Sequence, residues 1–202
     1  LLLFMISCCS VQSFYAMNTE DMLIRRDAIV GQWDMMETEA DPNETTLVWD
    51  ISFDPEKSVK NRLATSPTQN KYTYTLKIYR KNAPDQQTIF LLHVVQLDDK
   101  VYFDLFPEEW NLDNDILGLH LMGVHTFAKV DFEAGSMMIN WFDVKDFGQR
   151  LEENKIRIKH ERNEASILLT AQPRELQKFV IKYSNDKDAF DESLRLVLKS
   201  SQ

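Results

Sequence analysis

Alternating apolar and polar positions run through the middle of the chain and predict β-strands. Residues 45–54 and 72–81 both alternate, and in each stretch one face carries only large apolar or aromatic side chains. These are Leu47, Trp49, Ile51 and Phe53 in the first stretch, and Tyr72, Tyr74, Leu76 and Ile78 in the second. Residues 193–199 alternate in the same way and predict a closing strand.

Two longer stretches predict β-hairpins, because in each of them two apolar runs flank a short turn. Residues 88–107 turn at Asp98-Asp99-Lys100, and residues 125–143 turn at Glu133-Ala134-Gly135. In total, about eight or nine strands follow one another, many of them as hairpins. The pattern therefore predicts a mainly β fold, either an antiparallel barrel or a strongly curved sheet.

Helices are predicted towards the two ends of the chain. Residues 20–29 follow Thr19 as a cap and carry acidic residues in the first turn, which predicts a short N-terminal helix. Residues 143–154, capped by Asp143, and residues 172–186, with Pro173 in the first turn, have apolar stripes at helical spacing. Between these C-terminal helices, the segments 155–161 and 166–171 predict short strands.

Composition limits the class of protein further. A chain of 202 residues with 44% hydrophobic content suits a single domain with a substantial core. The net charge is −9 and no Lys/Arg-rich stretch stands out, so nucleic acid is not an expected partner. The only cysteines are the adjacent Cys8 and Cys9, a spacing that disfavours a disulfide.

The first ten residues carry the clearest signal of location. Residues 1–6 are apolar without a break, which is far short of the roughly 20 residues that span a bilayer and is typical of the end of a signal peptide. The run Met5-Ile6-Ser7-Cys8 resembles the lipobox of bacterial lipoproteins. The resemblance implies that Cys8 becomes the first mature residue and carries the lipid, palmitate included. Several acyl chains on one residue would anchor it stably.

This resemblance also implies a domain organisation and a location. Residues 1–7 would be the end of the signal peptide, residues 8–19 a lipidated tether and residues 20–202 a single domain with a helical C-terminal part. The protein would be held at a bacterial envelope membrane through its lipid, with the outer membrane favoured, and its body would lie in the periplasm or at the cell surface. A lipobox shifted to Cys9, an ordinary secretory signal peptide and an N-terminal strand of a cytosolic protein are the alternatives.

A second motif lies at the start of the first predicted strand. Gly31 and Trp33, following a short helix, resemble the Gly-x-Trp entry of lipocalins and the broader calycin group. In that group the Trp closes the bottom of the barrel beneath a later basic side chain, and the Gly lets the backbone pass closely. The resemblance implies a lipocalin-like barrel.

The C-terminal part is similar to the ending of uncharacterised bacterial lipoproteins. The similarity lies in a Leu-Thr-Ala…Glu-Leu-Gln-x-Phe signature, here Leu169, Thr170, Ala171, Glu175, Leu176, Gln177 and Phe179. It implies membership of that group and transfers no chemistry.

The residues that could carry catalysis or bind a metal do not form a convincing pattern. The body has no thiol, no G-x-S-x-G elbow and no Gly-rich phosphate loop, and we predict a non-enzymatic protein without a cofactor. The pairs Glu108-Glu109 and Glu152-Glu153 are interpreted as solvated surface. The histidines are His93, His120, His125 and His160; a metal site at His120 and His125, with Asp113 and Asp115 nearby, is an alternative, but ordinary surface or rim histidines are favoured.

The aromatic side chains of the predicted strands leave two functions open. Trp49, Tyr72, Tyr74 and Phe103 could line a β-cup, with Trp110 on its rim, and bind a small apolar molecule or an envelope component. Alternatively, the aromatics fill the barrel, and the protein is a structural or assembly module that docks through residues 104–120. An internal cavity of at least about 300 Å³ is expected only for the first function.

Overall fold

The described residues form an eight-stranded antiparallel barrel that carries a helical subdomain on its outside. The computed structural model describes residues 11–36, 46–53, 69–109, 121–162, 166–191 and 193–199. Its strands are β1 (Gln12–Ser13), β2 (Gly31–Met36), β3 (Leu47–Ser52), β4 (Thr73–Arg80), β5 (Ala83–Leu97), β6 (Lys100–Glu109), β7 (His125–Glu133), β8 (Ser136–Trp141), β9 (His160–Arg162), β10 (Ile167–Leu169) and β11 (Leu194–Leu198). Its helices are α1 (Val144–Glu152) and α2 (Pro173–Tyr183).

The barrel is a meander that the last strand closes. Strands β2 to β8 each pair with the next strand in chain order, including β6 with β7. The last strand, β11, then fits antiparallel between β8 and β2, with Leu196 paired to both Met137 and Met35. This confirms the predicted mainly β antiparallel barrel, which is consistent with a lipocalin-like architecture. Both predicted hairpins are confirmed as well, at β5–β6 and β7–β8.

Both C-terminal helices lie within the predicted ranges. Asp143 caps α1, because its carboxylate accepts the backbone N–H groups of Lys145 and Asp146. At the start of α2, the side chains of Gln172 and Glu175 form a reciprocal capping box, and Pro173 occupies the first turn. The strand predicted at residues 155–161 is wrong over most of its length, since only β9 pairs there.

The N-terminal helix differs from the prediction. Residues 20–29 form two separate 3-10 turns, Glu20–Met22 and Asp27–Ile29, instead of one helix. The Thr19 side chain makes no capping hydrogen bond to the backbone of the first turn; its hydroxyl oxygen accepts a hydrogen bond from Gln177 of α2 at 2.9 Å. A tertiary contact therefore replaces the local capping interaction.

The predicted tether at residues 8–19 is not a tether over its described part, residues 11–19. Strand β1 lies between β7 and β10, antiparallel to the first and parallel to the second. Val11 and Met17 are buried in the core. Polar composition suggested solvation, but the segment buries Val11 and Met17, leaves Phe14 43% exposed and pairs part of its backbone with the sheet. We call residues 11–19 the N-terminal segment.

The core consists of two clusters on opposite sides of the barrel wall. The inner cluster fills the barrel, and its fully buried members are Ile29, Trp33, Met35, Leu47, Trp49, Ile51, Tyr74, Leu76, Leu92, Val94, Phe103, Leu105, Ala128, Val130, Met137, Ile139 and Leu196. The outer cluster lies between the outside of the barrel and the helices, and includes Val11, Met17, Tyr102, Phe127, Phe142, Phe147, Leu176, Phe179 and Val180. Among the described residues, no helix is long and apolar enough to cross a bilayer.

Candidate functional site

Three of the five aromatic residues proposed for ligand binding point into the barrel. Trp49 of β3, Tyr74 of β4 and Phe103 of β6 all belong to the inner cluster. They face inward because side chains alternate along a strand, so that odd or even positions share one face. The alternation predicted from the sequence therefore places these three side chains correctly.

Two of the proposed residues do not join them. Tyr72 lies in the 3-10 turn Gln69–Tyr72, just before β4, and packs against the outer cluster. Its position on the inward face was wrong because the strand begins one residue later, at Thr73. Trp110 and the lipidation residue Cys8 lie outside the described residues, so both remain predictions from the sequence.

The Gly-x-Trp motif lies at one end of the barrel, which the preceding segment closes. The indole N–H of Trp33 donates to the carbonyl oxygen of Ile29 at 2.8 Å. Gly31 has φ +140°, and a Cβ there would lie 3.1 Å from Leu198 Cδ1, so the close approach of β11 favours glycine. The cation at this end is Arg26, whose guanidinium stacks 3.8 Å from the centroid of the Phe132 ring.

The described part of the barrel interior is filled by its own side chains. Trp49, Tyr74 and Phe103 have relative exposures of 1%, 0% and 1%. A cavity that could hold water would leave exposed surface on the side chains around it, and these three have almost none. Half-buried members of the inner cluster occur at its edges, including Phe90 and Trp141.

One polar group in this apolar interior has no hydrogen-bond partner. The indole N–H of Trp49 is buried and makes no hydrogen bond, whereas the N–H of Trp33 in the same cluster is satisfied. A buried donor without an acceptor is unfavourable by about 1–3 kcal/mol. Trp49 is therefore the position in the interior where a hydrogen-bond acceptor from another molecule would be stabilised.

The structure reveals a second site, a row of polar side chains on the outside of the barrel. The register pairs Thr73 with His93 and His93 with Asp104 across β4, β5 and β6. His125 of β7 continues the row, and its ring Nδ1–H donates to Asp104 Oδ1 at 2.7 Å. Ser13 of β1 is the register partner of His125 and completes the row. We call these five residues the polar row.

Asp104 is the centre of the polar row and has no exposed surface. Besides His125, it binds the N-terminal segment, because Asp104 Oδ2 accepts the backbone N–H of Met17 at 2.7 Å and the side-chain amide of Asn18 at 3.3 Å. Burial alone would raise the pKa of Asp104, but the attraction and the hydrogen bond of His125 outweigh it and lower the pKa. The buried carboxylate is therefore held in its charged form.

The environment of His93 favours the neutral form of its ring, in contrast to the charged carboxylate of Asp104. It is 2% exposed, its Nε2 shares a 2.9 Å hydrogen bond with Thr73 Oγ1, and its Nδ1 has no partner. Burial lowers the pKa of His93, against the smaller opposite effect of Asp104. The His93 ring is therefore neutral at pH 7, and it is more deeply buried than His125, whose side chain is 15% exposed.

Sequence reasoning missed the polar row, although a signal was present. His93 interrupts the apolar run FLLHVV, and Asp104 interrupts VYFDLF. A single polar residue in an otherwise apolar strand indicates either a surface position or a buried network. Pattern alone does not distinguish the two, because it does not show that both faces of β5 and β6 are buried around His93 and Asp104.

The remaining candidates for chemistry separate in space. Among the residues that the structure describes, no group of three histidine, cysteine or carboxylate side chains could hold a metal ion. The ring Nδ1–H of His160 donates to the carbonyl oxygen of Ile158, away from the polar row. Glu152 pairs with Arg162 at the surface, with 63% of its side chain exposed. His120, Asp113 and Asp115 lie outside the described residues.

Comparison with known proteins does not add an assignment. The chain matches no protein-family model, no curated protein and no solved structure.

Proposed function

We propose that this protein is a lipid-anchored, non-enzymatic interaction module of the bacterial cell envelope, with the barrel as a filled scaffold. One observation carries the proposal: Trp49, Tyr74 and Phe103, the aromatics predicted to line a β-cup, are 0–1% exposed and pack in a single cluster. A barrel that is filled by its own side chains offers its outer surface and its loops to other molecules.

The lipid anchor rests on the lipobox resemblance at Met5-Ile6-Ser7-Cys8. Growth of the host with alkyne-tagged palmitate should label the wild-type protein, while the variant Cys8→Ala should stay unlabelled. A Cys9→Ala variant is the matched control and should keep its label. Label that disappears with Cys9→Ala and persists with Cys8→Ala would move the anchor by one residue; no label on any of them would reject the anchor.

The partner surface is proposed at the end of the 104–120 segment. Leu121 and Met122, which follow it directly, are 45% and 53% exposed. Large apolar side chains next to each other at a surface favour contact with another protein. Met36 provides a matched control, because it is exposed to the same extent, 53%, at the end of β2.

Site-specific photo-crosslinking in the host tests this surface. A photoreactive residue at position 122 should give one defined crosslinked product, and the same residue at position 36 should give none. Substitution of Leu121→Asp in the crosslinking strain should remove the product from position 122. Equal products from both positions would reject the assignment of this surface.

A specific observation favours a second candidate function, binding of a small apolar ligand with a hydrogen-bond acceptor. That observation is the unpartnered indole N–H of Trp49. Native mass spectrometry of protein purified from its host separates the two functions. The filled scaffold predicts the bare mass. A bound small molecule that is present in the wild type and in Trp33→Phe, but is lost in Trp49→Phe, would establish the ligand instead.

A further inference from the structure

Two buried polar side chains, Asp104 and Gln177, hold the N-terminal segment in place from opposite sides. Asp104 of β6 accepts from the N–H of Met17 and from the side chain of Asn18. On the other side of the segment, the amide of Gln177 in α2 donates to the carbonyl oxygen of Met17 at 3.1 Å and to Thr19 Oγ1. The segment is therefore clamped between the barrel wall and α2, and Asp104 is the buried carboxylate that binds it.

The ionisable groups that face this clamp are few. In the described residues they are Asp104, His93 and His125, which interact electrostatically with one another. The N-terminal segment itself contains no acidic or basic side chain. Among the charged residues of neighbouring elements, Asp21 is exposed and its carboxylate forms a hydrogen bond with the side chain of Thr19 at the end of the segment. The others are exposed or half-buried: Glu20, Arg174, Glu175 and Lys178 are exposed, and Glu108 and Lys129 are half-buried.

The unpartnered Nδ1 of His93 gives this arrangement a second possible state. His93 and Asp104 are direct register partners, so their side chains stand next to each other on the outer face of the barrel. A neutral His93 makes no bond with Asp104. A protonated His93 would carry an N–H at Nδ1 as well as at Nε2, and the nearest anionic acceptor is Asp104, which already accepts from Met17, Asn18 and His125.

We propose that His93 and Asp104 form an acid-sensitive latch for the N-terminal segment. In acid, His93 takes a proton from solvent at Nδ1 and donates it as a hydrogen bond to Asp104, in competition with Met17 and Asn18. The segment then loses its buried charged anchor and detaches. The bonds from the Met17 N–H and the Asn18 amide to Asp104 have one ionised partner, whereas an imidazolium–carboxylate bond joins two opposite charges, which favours the imidazolium.

Detachment changes what the barrel presents. Strand β1 leaves its place between β7 and β10, so one edge of each of these strands becomes free to pair. The released segment of nine residues can extend by up to about 30 Å. If Cys8 carries the lipid, release of the segment in acid would increase the distance between the membrane and the barrel. This consequence rests on the proposed function, whereas the latch itself does not depend on the anchor.

Hydrogen–deuterium exchange of the full-length chain tests the latch. Exchange of peptides that cover residues 11–19 is measured between pH 7.5 and 5.0, with each rate divided by that of an unstructured peptide at the same pH. The opening constant of the segment should rise by about tenfold per pH unit below about pH 6.5, because one proton is taken up on opening. Peptides of β3 in the same protein should stay protected throughout.

Two variants complete the experiment. His93→Gln keeps a polar side chain that does not titrate, and its segment should open to the same extent, within about twofold, at pH 7.5 and 5.5. The matched control His160→Gln should behave as the wild type. A wild-type segment that keeps its protection down to pH 5.0, or a rise that survives in His93→Gln, would overturn the latch; if His93→Gln does not fold, the wild-type comparison of residues 11–19 with β3 still decides.

Discussion

The two core clusters use the same kinds of side chain, but the buried ionisable residues of the described part of the chain, Asp104 and His93, lie on the side of the outer cluster. The inner cluster consists of apolar and aromatic residues, and within it the indole nitrogen of Trp49 has no hydrogen-bond partner. The outer side of the same barrel wall buries Asp104 and His93 among residues such as Phe127. The inner cluster is thus held by burial of apolar area, and the outer one also by polar contacts that depend on protonation.

The largest expected effect tests whether the inner cluster is filled. Phe103→Ala should lower the free energy of unfolding by about 3–5 kcal/mol, because the barrel wall cannot collapse into the space left behind. Phe127→Ala in the outer cluster is the matched variant, since Phe127 is also 1% exposed. Urea unfolding measures both. A loss below about 1 kcal/mol for Phe103→Ala alone would contradict the filled interior.

The next effect tests the charge in the outer cluster. Asp104→Asn removes the partner of His125 and weakens the acceptor of the Met17 N–H. It should cost about 2–3 kcal/mol in urea unfolding at pH 7, below the 3–5 kcal/mol that is typical of fully buried pairs, because His125 reaches solvent. Glu152→Gln is the control at an exposed pair and should cost less than about 0.5 kcal/mol. An equal loss of stability in both variants would contradict the role of Asp104 as a stabilising buried charge.

The free energy of unfolding should also depend on pH, through the buried His93 on the outer side of the barrel wall. Because burial lowers the pKa of His93, the unfolded chain binds more protons than the folded protein below pH 6.5. The stabilisation from a neutral His93 is therefore complete above about pH 6.5 and is lost as the pH falls, by up to about 1.4 kcal/mol per pH unit. Urea unfolding of the wild type at pH 7.5, 6.5 and 5.5 should show this slope, and His93→Gln should flatten it.

The smallest effect compares two tryptophans of the inner cluster. Trp33→Phe leaves the carbonyl oxygen of Ile29 without its donor, whereas Trp49→Phe breaks no hydrogen bond. Trp33→Phe should therefore be the more destabilising of the two, by about 1 kcal/mol in urea unfolding. The reverse order would indicate that a bound molecule satisfies Trp49 in the purified protein.

The sequence by itself determined the strands of the barrel and the helices of the subdomain. Alternation at Leu47, Trp49 and Ile51 predicts one inward face, and the helical spacing of apolar residues predicts α2. These predictions succeed because the period of apolar residues along the chain is a local property that follows from backbone geometry.

Only the tertiary structure decided how these elements close and what lies between them. The pairing of β11 with β2 joins residues more than 150 positions apart, and the hydrogen bond from the Met17 N–H to Asp104 spans 87 positions. The N-terminal segment has no regular apolar pattern that predicts its place in the fold, and it is held there because Asp104 and Gln177 satisfy its polar groups from two distant elements. Such partners are set by which surfaces meet in space, and this information is not present in any local pattern.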